Sequence, residues 1–215
     1  MNESEKTASL IVAGENRLAS GRFDRAAAWG LLCSWTQSES LRKHALSVEA
    51  CLTACGVVEA ERLGLTGEDR TCFVELYSVT ALLHDFDYER HPTMEEHPFV
   101  GVRELERLGW PLQMRTAILG HANYSGVARE THLAKALFAC DELSGFLTAC
   151  ALVKPSKAIA DVEPAGVLKK MKDKAFARAV NRDDIRQGAA ELGVALDAHI
   201  AFCIDALRRQ AEQGA

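Results

Sequence analysis

His44, the adjacent pair His84 and Asp85, and Asp141 are the side chains whose types and settings could do chemistry. His44 falls three residues after Leu41 and four before Val48, a spacing at which a helix turns its imidazole inward. His84 closes a second apolar stripe, Phe73, Leu76, Tyr77, Thr80 and Leu83, and Asp85 follows it directly. The two side chains therefore leave one helix end about 100° apart, which suits two ligands of one cation. Ala81, Leu82 and Leu83 imply that this helix end is buried, and a polar pair there needs a partner. Asp141 sits in the most apolar stretch of the chain, with Leu137 one turn before and Gly145 one turn after. A buried carboxylate must be paired or bound to a cation. Imidazole and carboxylate together select a borderline or hard divalent ion: Mn, Fe, Ni, Co, Zn or Mg. With one position open, such an ion brings the pKa of a water to about 7 and polarises a phosphoryl oxygen.

The elements that position these groups read as helices throughout. The 215 residues are 48% apolar, enough for one sizeable core, so a single domain over residues 1–215 is expected. Ala, Leu and Val dominate and only 5 prolines interrupt them, which favours an all-α bundle. A polar helix is expected over residues 3–20 and a short one, capped by Asp24, through Trp35. Leu41, Ala45, Val48 and Leu52 mark one long core helix and the stripe ending at Leu83 marks another. Phe86 to Glu96 lacks periodicity and reads as a loop, after which Pro98 and Pro111 each suit the first position of a helix. Thr131 to Val153 should form a central helix. Lys154 to Lys157 break it, and helices are expected over Val167 to Val180, Asp183 to Leu192 and Ala195 to Gln210. A metal core of about residues 40–153 follows, with residues 1–36 and 160–212 packed on it.

Charge and cysteine usage narrow the class. A formal charge of −5 and a pI near 5.8 disfavour a partner that is bound by neutralising many phosphates, so no nucleic acid is expected. Seven cysteines, an odd number with no CxxC spacing, suggest neither a disulfide framework nor a cysteine zinc site; a reducing cytoplasm fits, and the thiols read as small buried hydrophobes. Ala8 to Gly14 is too short for a signal peptide or a membrane span, so no membrane anchor is expected.

His44, then His84 and Asp85, then Asp141, each on its own helix apart from the doublet, resembles the HD superfamily of metal-dependent phosphohydrolases. The resemblance covers roughly Ser40 to Val153, with Leu41 to Val48, Ala81 to Asp87 and Lys135 to Gly145 as its motifs. It implies one or two divalent ions per chain. In the binuclear branches two further histidines stand between the doublet and the last Asp, and His97 and His121 occupy those places. Asp85 would then resemble the bridging carboxylate. Asp87, just after the doublet, is a candidate for orienting a ligand or transferring a proton.

Between Lys154 and Arg178 seven basic residues face three acidic ones, and Lys154 and Lys157 are candidates to clamp a substrate phosphate. The expected activity is hydrolysis of a phosphate mono- or diester, such as a nucleotide, with a small phosphorylated molecule as partner. Pro98 and Gly101 after His97 are similar to the cyclic dinucleotide phosphodiesterases of the HD-GYP branch, but Tyr124, Ser125 and Gly126 stand where Gly-Tyr-Pro would be, which disfavours that substrate. Two alternatives stand beside hydrolysis: a di-iron oxygenase of the same superfamily, and a metal-binding regulatory module without turnover. The sequence names no substrate and no oligomeric state.

Overall fold

The computed structural model describes residues 24–213, and every regular element among them is a helix. Helix α1 runs over Arg25–Trp35, α2 over Glu39–Arg62, α3 over Gly67–Leu83, α4 over Phe99–Arg107, α5 over Leu112–His121 and α6 over His132–Leu152. Then come α7, Pro164–Met171, α8, Arg182–Leu192, and α9, Leu196–Gln213. The all-α expectation holds. The helix expected over residues 3–20 lies outside the described residues. One compact unit ends at Leu137 and a second begins at Phe138, the change falling within α6. No helix among the described residues is long and apolar enough to cross a membrane.

In the first unit α2 and α3 form a packed pair, and Val48, Cys51 and Leu52 of α2 and Val79 and Leu83 of α3 are fully buried. The Asp24 carboxylate starts α1 by accepting from Ala27 N at 2.8 Å, and the Ser38 hydroxyl caps α2. Arg25 fastens α1 to the pair: its guanidinium donates to both oxygens of Glu49 at 2.6 and 2.8 Å, and Ser78 Oγ donates to the same carboxylate at 2.5 Å. Glu49 is 7% exposed, so these donors replace the water it loses.

The expected loop after α3 is present, and the link between α1 and α2 holds it down. Thr36 Oγ1 donates to Phe86 O at 2.9 Å, Glu89 accepts from Gln37 N and Ser38 N, and the Arg90 guanidinium lies 4.9 Å over the Trp35 ring while donating to Ser34 O. Asp85 and Asp87 are thus carried on a tethered loop. Helices α4 and α5 pack on each other, and α5 also on α3. Each begins one residue after its proline, since Pro98 and Pro111 stand at the cap rather than inside.

In the second unit α9 packs against α7 and α8. Arg208 on α9 donates to Ala160 O and Val162 O, pinning the 3-10 turn Ile159–Asp161. The helix expected over Val167 to Val180 is corrected: α7 ends at Met171. Asp173 Oδ1 accepts from Ala175 N at 3.1 Å and Phe176 N at 3.3 Å, a local turn that takes the amide hydrogens a helix would use. Lysine content signalled helix there, and the aspartate overrode it.

Candidate metal centre

Four imidazoles converge on one carboxylate. Asp85 Oδ1 lies 3.3 Å from His97 Nε2 and 3.2 Å from His121 Nε2; Oδ2 lies 3.3 Å from His84 Nε2 and 3.9 Å from His44 Nε2. Ligand atoms of His44, His84 and Asp85 fall within 4.8 Å of one another, and so do those of Asp85, His97 and His121. The rings follow one another around the site, with centroids 5.3 Å apart for His44 and His84, 5.4 Å for His84 and His121, and 5.3 Å for His121 and His97. Each oxygen of Asp85 therefore faces its own pair of imidazoles.

The other ring nitrogens decide the protonation. His84 Nδ1 donates to Ala81 O at 2.7 Å, and His121 Nδ1 donates to Ile118 O. A carbonyl oxygen can only accept, so both Nδ1 atoms carry their proton and both Nε2 lone pairs are turned toward Asp85. His97 Nδ1 meets Asp87 Oδ1 at 2.7 Å, the same arrangement with a carboxylate as orienter. A lone pair facing a carboxylate oxygen at about 3.3 Å repels it unless a proton or a cation stands between. Four imidazolium rings around a single carboxylate would leave most of the charge uncompensated at a site where His84 is fully buried and His97 and His121 nearly so. Divalent cations satisfy all of these groups together, and imidazoles oriented through their second nitrogen are the usual surroundings of such ions. The residues fit.

Without a cation, the charges compensate in another way. Burial disfavours the Asp85 anion, yet the charge of His84 and hydrogen bonds from His121, His84 and His97 hold it well below the ordinary carboxylate range. Burial likewise opposes charge on His97, and the hydrogen bonds of Asp85 and Asp87 overcome it, raising the imidazole to about 9.

Asp87 is 1% exposed, and its second oxygen accepts from Gly101 N at 2.7 Å. Both oxygens are engaged, which makes it the group that aims His97. Gly101 is required by this contact: a Cβ there would stand 2.8 Å from Asp87 Cγ and 2.8 Å from a Phe86 ring carbon. Tyr124 OH donates to His97 O at 3.0 Å, and Tyr88 packs edge-on at 5.2 Å from the same ring.

Five of the six expected ligands, His44, His84, Asp85, His97 and His121, are thus gathered in the first unit. His44 is expected in the interior and instead lies at the margin, its side chain 23% exposed, while Ala45 and Val48 beside it take the core. Asp141 stands on α6 beyond Leu137, in the second unit, and is half-buried where full burial was expected. Lys154 and Lys157 belong to the second unit too, on one turn in which Lys157 N donates to Lys154 O at 3.0 Å. Lys154 lines a cavity of about 350 Å³ with Cys150, Val162, Val167, Lys169 and Lys170; Lys157 is exposed and not part of that lining.

Two features escaped sequence reasoning. The Asp87–His97 pair joins residues ten apart across a loop, and nothing in the spacing announces it. The grouping of Cys140, His199 and Cys203 carries one local sign, the four-residue interval from His199 to Cys203. No family profile, curated protein or solved structure matches the chain.

Proposed function

We propose that the protein is a metal-dependent phosphohydrolase of the HD type, acting on a phosphate mono- or diester such as a nucleotide. The observation that carries this reading is the convergence of four Nε2 atoms on the two oxygens of Asp85, three of them on rings oriented through Nδ1. His44 and His84 would hold one divalent ion, His97 and His121 a second, and Asp85 would bridge them; Asp141 enters as a further ligand on its place in the sequence order. Such ions supply an acidified water and a Lewis acid for a phosphoryl oxygen. The chain's own part is positional: Asp87 fixes the plane of His97, the Ala81 and Ile118 carbonyls fix His84 and His121, and the part-exposed edges of His44 and Asp85 are where solvent reaches the group. Asp85 and Asp87 remain the candidates for handling a proton, and Lys154 and Lys157 for the substrate's phosphate.

A second reading shares the same pair of sites. Two histidines per carboxylate oxygen also suit a di-iron centre that activates dioxygen, so a di-iron oxygenase is the alternative.

The deciding experiment is elemental analysis of protein purified without chelator, native beside His97→Ala plus His121→Ala, with hydrolysis of p-nitrophenyl phosphate, its bis-ester and nucleoside phosphates followed on the same samples. A metal content about one equivalent lower in the double variant than in the native protein, with ester hydrolysis lost, is the expected result. Iron with dioxygen uptake and no hydrolysis would move the assignment to the oxygenase. No metal in either protein, even after reloading, would sink it.

A further inference from the structure

A second group of soft ligands lies wholly within the second unit. Cys140 on α6 and His199 and Cys203 on α9 offer two sulfurs and one imidazole nitrogen within 4.8 Å of one another. Cys140 and Cys203 are fully buried and His199 is 3% exposed. Cys203 Sγ stands 3.7 Å from His199 Nε2. Around a tetrahedral zinc with bonds of 2.0–2.3 Å, a sulfur and a nitrogen stand about 3.6 Å apart, so that pair needs almost no movement to close on an ion. His199 and Cys203 are four residues apart and so share one face of α9. The helices are held firmly: Gly188 of α8 lets Ala139, the neighbour of Cys140, come so near that a Cβ would stand 2.6 Å from its Cα. His199 Nε2 lies 3.1 Å from Ala139 O, so a bound ion would displace that hydrogen bond.

We infer that Cys140, His199 and Cys203 form a structural site for a thiophilic d10 cation, Zn²⁺ or Cu⁺, separate from the histidine and aspartate centre of the first unit. Thiolate ligands select these ions over the harder ones that carboxylate and imidazole admit. Binding releases the two thiol protons to solvent and ties α6 to α9 in the middle of the second unit. The inference does not depend on phosphohydrolase activity.

Cobalt(II) tests it, because only thiolate coordination gives an intense near-ultraviolet charge-transfer band, whereas histidine and carboxylate give weak visible bands. Reduced full-length protein titrated with cobalt is expected to show that band, to keep it in Cys51→Ser and in His84→Ala, and to lose it in Cys140→Ser plus Cys203→Ser. Zinc and copper(I) are then competed separately against bound cobalt, and whichever displaces it at the lower concentration is the preferred ion. If the double variant does not fold, X-ray absorption at the zinc edge of the native protein replaces it, with sulfur scatterers at about 2.3 Å expected. Weak visible bands alone, a band that survives the double serine variant, or only nitrogen and oxygen scatterers would overturn the proposal. So would a Cys140–Cys203 disulfide found under non-reducing mass spectrometry in freshly purified protein.

Discussion

His97 links the protonation state of the centre to its stability. Its pKa is about 9 in the metal-free fold against an ordinary 6.5, so the fold gains most from the charged ring below pH 6.5 and loses that gain as pH rises through 9. The gain is on the order of 3 kcal/mol at most, shared with Asp85, whose depressed pKa means that its own contribution disappears only in strong acid. Metal-free protein should therefore show a melting temperature that falls between about pH 6.5 and 9 by thermal denaturation, and His97→Gln should flatten that limb. Metal-loaded protein should show the opposite slope, because the ligand nitrogens must be deprotonated to bind. Gly101 gives a second test at this scale. Gly101→Ala drives a methyl into Asp87 and Phe86, with an expected cost of about 1 to 3 kcal/mol and a 10- to 100-fold loss of metal affinity through the misaimed His97, read by competition with a chromophoric chelator. Unchanged affinity would remove Asp87 from the positioning role given to it here.

At the scale of elements, the centre depends on a loop held from outside the ligand helices. Thr36 in the α1–α2 link is fully buried, and its hydroxyl hydrogen bond to Phe86 O spans from that link to the residue between Asp85 and Asp87. Thr36→Val keeps the shape and deletes the donor, leaving a buried carbonyl without it; about 1 to 3 kcal/mol of stability should be lost, with a measurable weakening of metal binding. Thr71→Val, which removes an exposed hydroxyl bonded to Gly67 O within α3, is the control and should change neither. Equal effects in both variants would mean that the link does not position the loop.

For the molecule as a whole, ion binding should appear as stability. A ligand present at a hundred times its Kd adds about 2.7 kcal/mol to the native state, which for a chain of this size raises the melting temperature by roughly 5 to 10 °C. Differential scanning calorimetry with manganese, which the thiolate site disfavours, against chelator should show that rise in the native protein and lose most of it in His84→Ala. No rise with any divalent ion would contradict both ion sites.

The sequence by itself determined the helical class and most helix limits, because both rest on local preference: Asp24 is a cap by chemistry, and the apolar stripes of α2 and α3 are visible at a period of 3.6. It also singled out His44, His84 and Asp85, because polar residues on or directly after an apolar stripe are anomalous, whereas His97 and His121 were candidates only through the places they hold in the order that the HD resemblance implies. The Asp173 turn was misread as helix because a side chain competing for amide hydrogens two residues away leaves no periodic trace. Only tertiary structure decided that Asp87 aims His97, that each Asp85 oxygen faces two rings, and that Cys140 meets His199 and Cys203. These are distances between atoms that the chain brings together from separate segments, and such contacts follow from packing, which no local pattern records.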